Sequence, residues 1–290
     1  MKKLIGILLL FSLTASMFTA CSNNNTSAFD SGKDIVIVSR EDGSGTRGAF
    51  IELFGIEQKN DDGTKKDLTT KEAIIAKQTD VMMTNIAGNP YAIGYISLGS
   101  LNDTVKAVQV EGAIPTAENV KNGIYPIARP FNIATKDEVS ELAQDFIRFI
   151  LSAEGQAVVA SSYITVNENA PAYDGRKPSG KIVVAGSSSV TPIMEKLKEA
   201  YLKINPNATI EIQMSDSSAG IKGAIDGTCD IGMASRELKD SELEQLTSTQ
   251  IALDGIAVIV NHENPIISLA KEQIKAVFIG ETLTWGEVSQ

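Results

Sequence analysis

The sequence predicts an α/β protein. Two patterns carry that reading. From residue 34 onward, short β-branched runs alternate with segments whose apolar residues recur every three or four positions. Several of those runs also end in turn-forming residues that open a helix. The first strand is expected at Ile35–Val38, followed by Ala92–Ser97 and Val105–Val110. A helix then places Val139, Leu142, Phe146, Phe149 and Ile150 on one face. Ile182–Ala185 reads as the next strand, and a second helix carries Val190, Ile193, Met194, Leu197, Tyr201 and Ile204. Thr209–Gln213 and Ile256–Asn261 are the remaining strands. Both helices read as core-facing rather than as membrane or partner helices. Residues 57–72 are polar with turn formers and read as a solvated loop. Residues 167–181, with Pro171, Gly175, Pro178 and Gly180, read as an interior linker dividing the chain into two blocks that no internal repeat relates.

At 290 residues the chain has room for about two domains of ~100–200 residues. Its 26 basic residues against 36 acidic ones, a formal net charge of −10, argue against a nucleic-acid partner, because reading a phosphate backbone rests on clustered Lys and Arg. One histidine, His262, and two cysteines, Cys21 and Cys229, leave little from which to build a metal or iron–sulfur site. The reading calls for no cofactor.

Residues 1–20 open with Lys2 and Lys3, continue with an apolar stretch from Leu4 to Leu13 and end in small residues before Cys21. That is the pattern of a secretory signal peptide, since the apolar stretch is short for a membrane span. Ala20-Cys21 followed by Ser22-Asn23-Asn24-Asn25 resembles a bacterial lipobox, in which the cysteine thiol is acylated after cleavage; Phe18 stands where an aliphatic residue is usual. The alternative is a plain cleavage site beside a chance cysteine. Residues 21–33 would be the tether, and Cys229, left without a disulfide partner, reads as a small buried apolar residue.

Three expected strands end in runs of Ser, Thr and Gly: Gly186-Ser187-Ser188-Ser189-Val190-Thr191, Ser215-Asp216-Ser217-Ser218-Ala219-Gly220 and Ser39-Arg40-Glu41-Asp42-Gly43-Ser44-Gly45-Thr46-Arg47. Each could present backbone N–H groups and hydroxyls at the positive end of a helix, where small anions bind even in an acidic protein. Singly, such a turn is usually a helix cap; three at strand ends, one flanked by Arg40 and Asp42, point to an oxyanion. None matches the GxxxxGK[ST] nucleotide pattern.

These loops, with IALDGIAVIVN from Ile251, FIGETLTWGEV from Phe278 and YAIGYISLGSL from Tyr91, resemble the PstS-type phosphate-binding proteins of the high-affinity phosphate ABC importer over nearly all of residues 34–290. The resemblance implies a two-lobed periplasmic-binding-protein-like (type II) α/β fold that closes on one inorganic phosphate in the cleft between its lobes. It implies an extracytoplasmic, membrane-anchored lipoprotein partnered by a permease. The donors it assigns are Ser188, Ser189 and Thr191, then Ser217 and Ser218, then Ser235, with Arg40, Ser44, Gly45 and Thr46 from the other lobe. Asp42 is expected to hold the Arg40 guanidinium. Arg236, also counted among the phosphate-binding residues, stands where some relatives carry an aspartate that accepts the phosphate proton, and Asp216 is a weaker candidate for that acceptor.

In relatives the GSSSVTP block precedes the SREDGSGTR block; here the order is reversed, which reads as a circular permutation with residues 167–181 joining the old ends. The lobes are then expected at 34–127 plus 254–290 and at 128–253, with crossing strands near Ile127–Asn132 and Leu253–Ala257. Two other classes compete. A receptor for sulfate or molybdate would use the same mechanism. A secreted serine phosphohydrolase would need a general base, and His262, in a turn before Glu263-Asn264-Pro265, reads as a solvated residue. A surface adhesin would leave the three donor loops without a purpose.

Overall fold

The computed structural model describes residues 29–60 and 65–288; the leader, Cys21 and most of the tether lie outside them. In chain order the strands are β1 (Val36–Arg40), β2 (Glu57–Lys59), β3 (Lys65–Asp67), β4 (Ile74–Ala76), β5 (Ala92–Ser97) and β6 (Lys106–Val110). They continue with β7 (Ala128–Thr135), β8 (Gly180–Ser187), β9 (Ala208–Ser215), β10 (Ile231–Ala234), β11 (Thr247–Val260) and β12 (Ser268–Leu269). The helices are α1 (Gly45–Leu53), α2 (Thr79–Ala87), α3 (Ala117–Lys121), α4 (Glu141–Ile150) and α5 (Ala153–Val159). After them come α6 (Thr191–Ile204), α7 (Ser217–Asp226), α8 (Asp240–Leu243), α9 (Lys271–Ile279) and α10 (Trp285–Val288).

One sheet runs in the order β4-β1-β5-β11-β7-β10-β8-β9, with β6 and β12 branching from β11. The strands of each helix-connected unit are parallel: β1 lies between β4 and β5, and β8 between β9 and β10. The two units meet on β7 and β11. Ile256–Val260 of β11 pair with β5 and β6, whereas Thr247–Gly255 pair antiparallel with β7. Alternation along the strands buries a different apolar set on each face. In the first half Ile37, Phe50, Tyr95 and Val258 face one way and Val38, Met82, Ile96 and Ile259 the other. In the second, Ile133, Ile182, Val184 and Met233 oppose Ala134, Ala234 and Ile221. Each large side chain so buried contributes roughly 1.5–3 kcal/mol. The stack of Phe50 on Tyr95, with centroids 3.8 Å apart and rings within 8° of parallel, fixes α1 against β5.

The amphipathic segments form as their spacing predicts: α4 buries Leu142, Phe146, Phe149 and Ile150, and α6 buries Ile193, Met194, Leu197 and Tyr201. Two expectations are corrected. Residues 57–72 are not one loop, because Glu57–Lys59 and Lys65–Asp67 pair as a hairpin stitched by a 2.7 Å Lys65–Glu57 ion pair; residues 61–64 lie outside the description. The strand expected at Ile256–Asn261 starts at Thr247, since its polar first half is satisfied by the β7 ladder.

Residues 167–179 form no helix or strand, yet they are clasped to the second half. The Asp145 carboxylate, 3% exposed, accepts hydrogen bonds from the Tyr173 and Tyr201 hydroxyls and from the Arg176 backbone N–H. Burial alone would raise its pKa, but these donors and the nearby Arg148 hold it below the usual carboxylate range. A carboxyl whose pKa is depressed on folding stabilises above its unfolded pKa of ~3.9 and loses that contribution as pH falls through the folded value. Asp145→Asn is therefore expected to lower stability by about 2 kcal/mol at pH 7, with the gap to the parent shrinking below pH ~4, as measured by urea denaturation across pH. Cys229 is buried behind α7, and desolvation pushes its thiol up to about 11. Its expected reaction with a thiol reagent at pH 8 is slow in the native protein and fast in denaturant.

Candidate functional site

The C-terminal ends of β1, β4, β8, β9 and β10 open into one cleft, at which helices α1, α2, α6 and α7 begin. Oxyanions are favoured there because each helix start offers unpaired N–H groups and a partial positive charge. Gly186 lets the strands approach, since its φ is +135° and a Cβ would lie 2.4 Å from the Met233 carbonyl oxygen. The side chains from the two halves touch. Thr46 Oγ1 is 2.8 Å from Ser189 Oγ, and Arg40 Nη2 donates to Ser188 Oγ at 3.0 Å. Ser187 Oγ donates to Ser235 Oγ at 3.0 Å, and Ser217 Oγ accepts the Ser235 backbone N–H at 3.1 Å. Gly45, the first residue of α1, packs directly on Ser217 and Ser235. The sequence thus brings Arg40, Gly45, Thr46, Ser188, Ser189, Ser217 and Ser235 together.

Arg40 is the charged centre of this cluster and only 1% exposed. Glu41 grips it as a fork, Nε to Oε2 and Nη2 to Oε1 both at 2.8 Å, and Nε also reaches the Ala76 carbonyl. Nη1 is buried and has no hydrogen-bond partner among the described residues. An unmatched buried N–H of a guanidinium costs about 1–3 kcal/mol or more unless an acceptor reaches it. Below it, the Tyr95 hydroxyl accepts the Arg40 backbone N–H at 3.1 Å and bonds Ser39 Oγ at 2.9 Å. Burial pushes that phenol up against the pull of these partners, so it stays neutral.

The expected role of Asp42 is corrected. Its side chain is fully exposed and pairs with Arg47 at 2.8 Å, because Glu41, one residue nearer and one methylene longer, already occupies the Arg40 fork. Arg47 in turn bonds the Arg40 carbonyl and Asp67, which fixes the loop from the solvent side. Arg236, expected among the ligands of the anion, is taken up by Glu242 at 2.8 and 2.9 Å and lies 3.4 Å from Ser218 Oγ. Despite desolvation, Arg236 and the Lys239 backbone N–H keep Glu242 below its ordinary range. Ser218 Oγ donates to the Gly43 carbonyl of the opposite half, Thr191 Oγ1 to the Ser187 carbonyl, and Ser44 Oγ caps α1 by accepting the Arg47 N–H. Asp216 caps α7 through the Ala219 N–H.

Three contributors went unrecognised in the sequence. Ser187 was hidden inside its own serine run. Glu41 was overshadowed by its neighbour. Thr79 opens α2 with its hydroxyl 3.4 Å from Ser188 Oγ and 3.5 Å from Ser189 Oγ, but no Ser or Gly run announces it. The signal available was a lone Thr three residues past the end of the Ile74-Ile75-Ala76 strand. His262 is exposed, with Nε2 against the Asp103 carbonyl, and takes no part in the serine cluster. Among the described residues no group of three His, Cys, Asp or Glu side chains could hold a metal ion. Arg40, hydroxyls and helix starts converging from two sides suit a small tetrahedral oxyanion; the acids beside them, Glu41, Asp42 and Glu242, are each already ion-paired.

Comparison with known proteins follows the same line. A family model described as a PBP superfamily domain matches residues 19–154 and 171–289. The chain is 51% identical over 276 residues to a phosphate-binding protein PstS 2 of Streptococcus agalactiae, an alignment covering 94% of each chain. A phosphate-binding protein PstS of Staphylococcus haemolyticus aligns at 40% identity over 112 residues, 36% of this chain and 35% of that protein. Among solved structures, the chain resembles that of a phosphate ABC transporter, phosphate-binding protein, from Streptococcus pneumoniae. There the TM-score is 0.70 and the identity 46%, over 88% of this chain and 99% of that one.

Proposed function

This chain belongs to the PBP superfamily, in its PstS-type phosphate-binding branch, and from that premise we propose that it captures inorganic phosphate outside the cytoplasm for delivery to an ABC importer. It is a binding protein rather than an enzyme. The observation that carries the ligand assignment is the buried Arg40, whose Nη1 is unpartnered among the described residues and lies beside hydroxyls from both halves. In this reading Arg40, Thr46, Thr79, Ser188, Ser189, Ser217 and Ser235 donate to the phosphate. Residues 34–127 with 254–290 move as one lobe against 128–253, about the crossing of β7 and β11. Closure excludes water and strengthens the charge-assisted hydrogen bonds. The loaded form then docks on a membrane permease.

Two finer points belong to the same proposal. Cys21 carries the lipid that tethers the protein to the membrane; Cys21→Ser should release it into the medium. The block order is a circular permutation. In its support, the described ends of the chain lie together, with the Ile35 N–H on the Leu283 carbonyl at 2.8 Å and Asp34 bridged to Thr284. The near full-length match to the streptococcal relative beside the one-third match to the staphylococcal one fits an order shared with the former and not the latter.

The deciding experiment is calorimetric titration of the chain from Ser22 onward, stripped by unfolding and refolding, with phosphate and then sulfate. Saturable one-to-one phosphate binding with a weaker sulfate response is the expected result. Equal responses would make it a general oxyanion receptor, and heat from neither would remove the ligand assignment.

A further inference from the structure

The crossing of the two halves holds a buried charge pair that the anion-binding reading does not use. Arg129 of β7 and Asp254 of β11 stand directly opposite each other in the ladder, 3% and 1% exposed, with Arg129 Nη2 3.2 Å from Asp254 Oδ2. Replacing such a pair with apolar residues is often neutral or stabilising, so stability alone is a weak reason for its presence. Its remaining bonds lead in two directions. Asp254 Oδ1 accepts the Gly99 N–H at 3.2 Å, in the turn that follows β5 of the first half. Arg129 Nη1 donates to the Ser235 carbonyl at 3.1 Å, in the second half, and its guanidinium lies 5.3 Å over the Phe131 ring. Ser235 is the residue whose N–H and hydroxyl knit Ser217 and Ser187 into the anion cluster. A continuous chain of contacts therefore runs from Gly99 through Asp254 and Arg129 to Ser235.

We propose that Arg129, oriented by Asp254, is a positioning residue for the anion site: it fixes Ser235 from behind and ties the site's geometry to that of the strand crossing. A second effect acts through charge. The Arg129 and Arg40 guanidiniums are close enough to repel, and an anion at the serine cluster relieves that repulsion. Burial pulls the Arg129 pKa down and pushes that of Asp254 up, each against their mutual attraction. The inference rests on the phosphate reading above.

The test compares the parent with Arg129→Met/Asp254→Leu and with Arg129→Lys, measuring phosphate affinity by calorimetry and ligand-free Tm on the same samples. The double variant removes both charges at similar volume and should keep its Tm within a few degrees while binding phosphate at least tenfold more weakly. Arg129→Lys keeps the charge without the two-pronged reach to Asp254 and Ser235, and should fall between the two. A double variant that binds as tightly as the parent, or a loss of Tm in both variants with affinity unchanged in Arg129→Lys, would overturn the proposal. A parent that binds no phosphate would remove the ligand assignment itself, a result distinct from parent and variants binding alike.

Discussion

Arg40→Ala is expected to weaken phosphate binding by at least ~100-fold, the larger of the two effects the site predicts. The guanidinium is buried at the cluster with Nη1 unpartnered among the described residues, and losing a fully desolvated charge-assisted contact typically costs about 2–5 kcal/mol, with each 1.4 kcal/mol a factor of ten. The substitution also strands Glu41, whose side chain is 17% exposed and whose partner is Arg40. Part of any loss could therefore be a destabilised fold. Arg40→Met/Glu41→Gln separates the two, because it removes the ion pair together and should restore the ligand-free Tm without restoring affinity. The measurement is calorimetric affinity beside ligand-free Tm. Binding restored by the double change would mean that Arg40 serves the fold and that the hydroxyls and helix starts hold the anion alone.

How much of this was readable beforehand depended on whether a residue's role was local. α6 emerged from periodicity because its apolar residues face one core, and β5 emerged as a short apolar run because both of its faces are buried. β7 did not, since Arg129 and Pro130 stand near its start, where propensity argues against a strand; it was expected near Ile127–Asn132 only as a crossing strand of the arrangement the resemblance implies, and the ladder to β11 overrides the propensity. The first turn of each serine loop was legible because hydroxyl-rich strand ends are rare outside anion sites and caps. Which of those hydroxyls point inward was not. Thr191, Ser218 and Ser44 share composition with Ser188, Ser189 and Ser217, yet Thr191 and Ser44 close their own loops and Ser218 bonds the Gly43 carbonyl of the opposite half. The choice between Glu41 and Asp42 turned on one residue of loop geometry. Asp42 lies just before Gly43, at φ +75°, with its side chain exposed on Arg47, an arrangement that two adjacent acids cannot declare. Thr79 and Arg129 were invisible for a related reason: each reaches the cluster only through tertiary contact, from α2 and from the strand crossing.

Gly45→Ala is expected to reduce phosphate affinity by about 10- to 100-fold while leaving the unliganded protein as stable as the parent. The position of the added methyl sets both effects. Gly45 is the first residue of α1 and lacks a positive φ, so alanine suits its backbone and, in a helix, is favoured over glycine by up to ~1 kcal/mol. Where the two halves touch, however, a Cβ there would lie 2.5 Å from Ser217 Oγ, 2.8 Å from Ser235 Oγ and 3.0 Å from the Ser235 carbonyl carbon. Those atoms belong to the opposite half of the sheet, so under the proposed lobe movement the clash arises only when the halves are together. Overpacking of this kind typically costs about 1–3 kcal/mol, and here the whole penalty falls on the closed, ligand-bound state. The two halves of the prediction have opposite signs, which separates it from general damage: Tm without phosphate unchanged or slightly raised, affinity lowered, and the Tm increase on adding phosphate reduced in proportion. Small-angle scattering with saturating phosphate should show Gly45→Ala less compact than the loaded parent. A variant that binds and compacts like the parent would mean that Ser217 and Ser235 yield freely, and that the cleft closes by a different contact.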